Sequence, residues 1–225
     1  MSQPAVSLID VSTYLPGEPI GAEYYAQFAE SDDLRDNVMF RAPKFRHHVA
    51  PDETAVDMIE RAVQGLIERH GHDVVEGADV LITHTQVPDM AFYGEGGGIA
   101  HRLGLRPSWV LDLNNGGCAA FVLALNVARK LLSTGEGHTA LIAIAQNAAG
   151  QFFDQTTIRR KAQSAVPGDG AAVGLVTVSD QSPILDVECR TYGEYHGEMT
   201  LSYDPPRKWW AAGHGEGSIG FTDSK

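Results

Sequence analysis

The stretch from Trp109 to Leu132 constrains the chain most. Trp109-Val110-Leu111-Asp112-Leu113 is an apolar, strand-like run, and Asn114-Asn115-Gly116-Gly117 is a short polar turn. Cys118 then opens a segment with Phe121, Val122, Leu123, Leu125, Val127 and Leu131 spread over nearly every side. Strand, tight turn and helix in that order belong to an α/β arrangement. A helix that is apolar all round is expected to be buried all round, between layers. The same order sets a thiol at the start of that helix, where free backbone N–H groups carry partial positive charge. Such a thiol loses its proton more readily and becomes a nucleophile. Gly116 and Gly117 allow a sharp turn and close approach of a substrate. The other reading of Cys118 is a small buried cysteine, a common use of the residue. A core cysteine, however, has no need of two glycines and a strand-to-helix elbow before it.

The rest of the chain repeats the alternation. Ala5 to Val11 predicts a first strand, closed by the Leu15-Pro16-Gly17 turn. Residues 22–34 are weakly helical and acidic, and 37–50 are basic and irregular. Ala55, Met58, Ile59, Ala62, Val63, Leu66 and Ile67 fall on one stripe at helical spacing, with Asp52 as the expected N-cap and Gly71 after the end. Val80-Leu81-Ile82 predicts a buried strand with a turn over Thr83 to Pro88. Gly96-Gly97-Gly98 precedes a short helix ending near Leu105. Further strands are expected at Val110–Leu113, Ala140–Ala145, Ala171–Val178 and Ile184–Tyr192, with a polar connection over 146–166 and no convincing period over 203–225. The pattern predicts one structural unit, a mostly parallel sheet with helices on both faces.

Composition excludes several function classes. Hydrophobic content of 43% and charged content of 20% fit a soluble globular protein. No apolar run is long enough to span a membrane, and the first residues show no secretory signal. Two cysteines, Cys118 and Cys189, make no disulfide framework, which fits a cytoplasmic setting. Cys189 lies in an apolar strand pattern and is expected to be inert. The net charge of −12 argues against nucleic acid as a partner. It also repels acidic carrier proteins, unless a local basic patch compensates. Arg41, Lys44 and Arg46 form one such patch and Arg159, Arg160 and Lys161 another; either is equally read as a solvated surface.

Other motifs carry less. Gly94 to Gly98 lacks the spacing and the leading strand of a dinucleotide fingerprint. Gly217-Ser218-Ile219-Gly220 is no serine-hydrolase elbow, and the nine histidines show no metal-ligand spacing, so no metal is expected. Gly168-Asp169-Gly170 before a strand enforces a tight turn whose Asp can tie backbone amides. That turn is either ordinary or serves to hold the Cys118 elbow in register.

Four segments in order carry a family resemblance. They are the Asp-x-x-x-x-x-Cys-x-x-Phe elbow from Asp112 to Phe121, the turn Gly168 to Ala171, the run Arg46 to Ala55, and Ile99 to Leu105. Together they resemble ketosynthase III, the beta-ketoacyl-carrier-protein synthase III group of the thiolase superfamily. The resemblance implies an α/β, thiolase-like layered αβαβα fold of two similar halves, usually a homodimer. This chain would be mainly the N-terminal half: residues 1–190 form that half, and 191–225 begin the connection to a C-terminal half. It implies that Cys118 takes an acyl group from acyl-CoA or an acyl carrier protein with no bound cofactor, and that a malonyl thioester then condenses with it. The backbone at Gly116, Gly117 and Cys118 would form the elbow and help hold the oxyanion. The two basic patches would contact carrier or CoA.

The chain departs from the family in two places. Gly116-Gly117 stand where Ala-Ala is common, and no Trp stands in the Asn37 to Pro43 stretch. Both suggest a specialised relative in polyketide or fatty acid biosynthesis, such as a secondary-metabolism enzyme, rather than the housekeeping fatty-acid initiator. The family's catalytic His and Asn have no match here; neither His196 nor His214 stands in such a context. They are expected from the same longer polypeptide or from a second chain. Three functions compete: a condensing enzyme, an acyltransferase acting on a hydroxyl or amine, and a non-catalytic partner subunit, against which the intact elbow speaks.

Overall fold

The computed structural model describes residues 3–41, 43–89, 93–114, 116–203, 206 and 217–221. Its elements in chain order are β1 (Val6–Tyr14), β2 (Ile20–Gly21), α1 (Glu23–Ala26), α2 (Asp32–Arg35), β3 (Phe45–Arg46), α3 (Ala55–His70), α4 (His72–Glu76) and β4 (Val80–Thr85). There follow α5 (Gly96–Arg102), β5 (Trp109–Asp112), α6 (Ala120–Ser133), β6 (Thr139–Gln146), β7 (Gly170–Val178), β8 (Met199–Tyr203) and β9 (Gly217–Phe221). Two compact units result where one was expected: Met1–Pro16 with Val49–Asn147 and Asp169–Cys189, and Gly17–His48 with Ala148–Gly168 and Arg190–Lys225.

The first unit is built on a five-stranded sheet of order β1-β7-β6-β4-β5. The expectation of a mostly parallel sheet fails at one half of it. β4 runs parallel to β5 and β6, but β7 is antiparallel to β6 and β1 antiparallel to β7. The reason lies in residues 146–166. They hold a one-turn π-helix at Ala149–Phe153 and a 3-10 turn at Ala162–Ala165, without the crossover helix that returns a chain to a parallel partner.

The sheet is covered on both faces, and period-two alternation assigns each side chain. Leu81, Leu141, Ala143, Val173 and Leu175 pack with the α3 stripe of Ala55, Met58, Ile59, Ala62, Val63 and Leu66. Val80, Ile82, Ala140, Ile142 and Val176 pack with Ala124, Ala128 and Leu132 of α6. Two covered faces explain why the strands read as continuous apolar runs.

Several boundaries move. Thr54, not Asp52, caps α3: its hydroxyl accepts from Asp57 N–H at 3.1 Å, and the Asp57 carboxylate accepts from Thr54 N–H at 3.1 Å. Asp89 adds a second cap, accepting from the N–H groups of Ala55 and Val56. β4 continues through the expected Thr83–Pro88 turn as far as Thr85, held by parallel pairing to β6. α5 begins on the triple glycine instead of after it. Residues 184–192 form no strand; Ile184 N–H bonds Val6 O, and Arg129 reaches the carbonyls of Ile184 and Leu185.

The largest correction concerns α6, which is not buried all round. Only one line, Ala120, Ala124, Ala128 and Leu132, is buried. Alanine at every fourth position lets the helix lie close to the sheet, so a single narrow line makes the contact. Phe121, Leu125, Val127 and Leu131 are partly covered, and Val122 is 48% exposed.

The second unit has a small core of Tyr25, Phe40, Ala162 and Ala165. β2 pairs with β3, Ile20 opposite Arg46. The segment read as weakly helical resolves into α1 and α2. Part of the region expected to lack period forms an antiparallel pair, β8 with β9, Met199 opposite Phe221. Residues 204–216 other than Pro206, His214 among them, lie outside the described residues.

Candidate active site

The elbow forms at the carboxyl end of β5. Asp112 ends the strand, and its Oδ1 accepts from the N–H groups of Glu95 and Gly96, each at 2.9 Å, and from the Thr83 hydroxyl. This fixes the start of α5 and the end of β4 to the root of the turn. Leu113 N–H then bonds Thr83 O at 2.8 Å. Asn115 lies outside the described residues.

Gly116 and Gly117 are needed for different reasons. Gly116 has ordinary helical dihedrals, but a Cβ there would sit 2.6 Å from Ala120 Cβ and 2.7 Å from its Cα. Gly117 has nothing within 4 Å of such a Cβ, yet its φ is +49°, the left-handed region that favours glycine. Cys118 follows in the 3-10 turn Gly117–Ala119, two residues ahead of the first residue of α6. It is exposed, so the buried-cysteine reading fails. Ala119, at the N-cap, offers no side-chain cap to the first amides of α6.

Cys189 is exposed as well, with Asn126 Nδ2 at 3.6 Å from its sulfur, and does not lie in a strand. In the Gly168-Asp169-Gly170 turn, Asp169 is buried and its Oδ2 accepts from Val49 N–H at 2.8 Å. What it holds is thus the chain entering α3. A Cβ at Gly170 would meet Leu15 and Tyr14, and one at Gly168 would meet Arg46.

All six basic residues singled out in the sequence belong to the second unit. Arg41 donates to Asp36 O, and Lys44 lies 5.1 Å from the ring centroid of Phe45. Arg46 cannot be part of a surface patch, because it is buried against Tyr25 with its guanidinium 5.3 Å from that ring. Burial pushes its pKa down. Arg159 lies 4.0 Å over Phe28, and with Arg160, Ala29 and Glu30 the pair lines a recess of about 400 Å³. Lys161 is exposed beside them in sequence. His196, a surface residue, has Nδ1 3.1 Å from Gly193 O.

The sequence reading passed over a second recess. It measures about 220 Å³ and lies where β4 and β5 end together, lined by Thr83, His84, Thr85, Tyr93, Asp112 and Asn114 among others. His84 is buried, and its Nδ1–H donates to Leu113 O at 2.6 Å. The available signal was Thr-His-Thr directly after the apolar Val80-Leu81-Ile82: polar residues at the carboxyl end of a buried strand, where α/β sheets bind ligands. Among the described residues no group of three or more His, Cys, Asp or Glu could hold a metal, and no helix is long and apolar enough to cross a membrane.

Residues 111–193, which begin at β5 and contain the elbow and β7, match the family model for 3-oxoacyl-[acyl-carrier-protein] synthase III. Over these residues the chain resembles ketosynthase III. Among curated relatives, the beta-ketoacyl-[acyl-carrier-protein] synthase III of Streptococcus agalactiae serotype III (strain NEM316) is 26% identical over 184 residues. The match takes in 82% of this chain and 54% of that protein. The protein of the same name from Alkalilimnicola ehrlichii (strain ATCC BAA-1101 / DSM 17681 / MLHE-1) is 28% identical over 202 residues, 88% of this chain and 59% of that one. The chain therefore spans little more than half the length of the curated relatives it matches. Among solved structures, the priming beta-ketosynthase from the R1128 polyketide biosynthetic pathway aligns with a TM-score of 0.75 at 21% identity, over 98% of this chain and 64% of that one. The fold is thiolase-like α/β, as expected.

Proposed function

We propose that the chain is the nucleophile-bearing, N-terminal half (residues 1–190 and the start of a connection) of a cytosolic condensing ketosynthase acylated on Cys118. The observation that carries this is the exposed Cys118 on a glycine-built turn between β5 and α6, inside the segment that matches the family model. The thiolate of Cys118 attacks the carbonyl of an acyl-CoA or acyl-carrier thioester. The new C–S bond forms as the donor's C–S bond breaks, and the donor leaves as its thiol with the proton. A malonyl thioester then loses carbon dioxide, and the carbanion attacks the Cys118 thioester. A C–C bond forms, and Cys118 is released. Splitting acyl transfer in this way is covalent catalysis and requires no bound cofactor.

Charge on the thioester oxygen needs positioned donors. The Cys118 N–H supplies one in this proposal. A His and an Asn from the other half, in the same polypeptide or a second chain, supply the rest. Arg159 stacked on Phe28, with Arg160 beside it, supports a contact with the phosphates of CoA or a carrier arm in an otherwise acidic protein. β5 is an edge strand with Trp109 and Val110 exposed, which supports pairing of two copies as a homodimer. The glycine pair before Cys118 supports a specialised biosynthetic role.

The test is incubation with acyl-CoA and acyl-carrier donors, followed by digestion and mass mapping. Acyl label is expected on Cys118 and absent from Cys118→Ala; label on Cys189 instead rejects the reading. Malonyl-carrier protein then separates the two enzyme chemistries. Release of carbon dioxide with a lengthened chain marks condensation, whereas an ester or amide formed without carbon dioxide marks transfer to a hydroxyl or amine.

A further inference from the structure

The larger recess, of about 400 Å³, has two walls that are far apart in sequence: Phe28, Ala29 and Glu30 on one side, Arg159 and Arg160 on the other. Both walls belong to the second unit. Arg159 lies 4.0 Å over the Phe28 ring, and neither arginine has an ion-pair partner among the described residues. Two cations against the one carboxylate of Glu30 leave the recess positive in a chain whose net charge is −12.

An acid nevertheless stands close to Arg159. Asp154 follows the one-turn π-helix, with its N–H bonded to Ala149 O at 3.0 Å. Its carboxylate is taken up by Tyr24: the phenol O–H donates to it, 2.9 Å from both Oδ1 and Oδ2. Tyr24 belongs to α1 and stands four residues before Phe28, with the two rings 5.5 Å apart and edge to face. That spacing sets two side chains on one side of a helical turn. Burial first, and then the bond to Asp154, push the Tyr24 pKa up, while Arg159 acts on the same hydroxyl and pulls it back. The phenol therefore keeps its proton at neutral pH and serves as the donor. One hydroxyl thus occupies a carboxylate that would otherwise be free to form a charge-assisted pair with the guanidinium beside it.

We infer that Tyr24 is a positioning residue for the thioester donor: by holding Asp154, it keeps Arg159 free for a phosphate ester of CoA or of a carrier's pantetheine arm. The inference rests on the proposed contact of Arg159 and Arg160 with those phosphates. Asp154 released from Tyr24 would compete with the phosphate for the same guanidinium. Arg159, already stacked on Phe28, loses little freedom when an anion binds, so competition from Asp154 is the cost that Tyr24 removes. Phenylalanine at position 24 takes away the hydroxyl alone and keeps the ring contacts with Tyr25, Phe28 and His48.

The experiment uses the whole protein carrying this sequence and three donors: butyryl-CoA, butyryl-carrier protein and butyryl-pantetheine, which has no phosphate. Adduct formation on Cys118 is followed by intact mass over a range of donor concentrations, giving half-saturation and maximal rate. Tyr24→Phe is expected to raise half-saturating butyryl-CoA about tenfold, the scale of one charge-assisted hydrogen bond. Its maximal rate, and its reaction with butyryl-pantetheine, should stay within about twofold of wild type, the pattern of a lost binding contact. Asp154→Asn in the Tyr24→Phe background removes the competing charge at constant shape and should bring half-saturation back to within about threefold of wild type. A rise confined to butyryl-CoA assigns the nucleotide end of CoA as the ligand; a rise for the carrier donor as well assigns the phosphodiester of the arm. A rise for the carrier donor alone overturns the phosphate chemistry, since CoA has that phosphate too. Unchanged half-saturation in Tyr24→Phe, an equal loss with butyryl-pantetheine, or no rescue by Asp154→Asn overturns the role of Tyr24. The phosphate contact stands without it if Arg159→Ala still raises half-saturating butyryl-CoA. No effect of Arg159→Ala overturns the contact and the inference together and leaves Cys118 acylation intact. Absence of a Cys118 adduct with every donor overturns the acylation reading and this inference with it.

Discussion

Substituting the two glycines of the elbow separately, Gly116→Ala and Gly117→Ala, tests whether the turn has the geometry described. At Gly116 the backbone is helical, with φ −75°, so alanine by itself would stabilise by about 0.4–1 kcal/mol through the unfolded chain. The added Cβ, however, lies 2.6 and 2.7 Å from Ala120 Cβ and Cα. Carbon atoms rest at about 3.5–4.0 Å, so the turn and the first residue of α6 must part by about 1 Å. Ala120 is buried in the contact line of α6 and its Cα is backbone, so it cannot swing aside. Overpacking of this kind costs about 1–3 kcal/mol, and the net loss should be about 1–2 kcal/mol. At Gly117 nothing is crowded, and the cost is the left-handed backbone alone, about 1–2 kcal/mol. The two variants should therefore lose similar stability by different routes. Only Gly116→Ala moves the turn against the helix. Urea unfolding gives the stabilities. Alkylation of Cys118 in a Cys189→Ser background, required because both thiols are exposed, reports displacement of the turn. Gly117→Ala should leave the alkylation rate within about twofold of the parent, whereas Gly116→Ala should change it more. A Gly116→Ala protein as stable as the parent or more so would refute the reasoning, since backbone entropy would then have outweighed a contact that is not there.

Two further outcomes concern the scaffold. Leu141→Ala, a fully buried residue of β6 packed in the α3-side core, should lose about 2–5 kcal/mol in urea unfolding; a loss below about 1 kcal/mol would contradict that packing. Asp10 is held down to about 2 from 3.8, first by Arg69 Nε at 2.6 Å and then by His70 Nε2 at 2.8 Å. A depressed carboxylate stabilises fully above its unfolded pKa and loses that contribution as pH falls through its folded value. The stability advantage of wild type over Asp10→Asn should accordingly be flat above about pH 4 and shrink between about pH 4 and 2. An advantage that survives unchanged to pH 2 would contradict the ion pair.

Local sequence determined those parts of the protein in which one residue's chemistry suffices. The α3 stripe, the apolar runs of β4, β6 and β7, and the glycine pair before Cys118 each follow from periodicity or backbone freedom, which are properties of neighbouring residues. The capping box of Thr54 and Asp57 was legible too, three residues apart, although Asp52 draws the eye first. Tertiary structure decided the rest, because those outcomes depend on which segments meet. Whether β7 runs parallel or antiparallel depends on how 146–166 closes, and apolar content does not encode that. α6 reads as buried on every side, yet four residues at every fourth position make its close contact, since coverage is a property of the neighbours. Arg46 reads as surface charge, but lies under Tyr25. Asp112 enters a one-dimensional reading only as the start of the elbow motif, and His84 and Thr85 only as polar residues after an apolar run. They become one site because β4 and β5 lie side by side and end together, which places groups 29 residues apart, such as His84 and Leu113, within a hydrogen bond of each other. Periodicity acts along the chain, whereas the pairing of polar groups at a strand end acts across it.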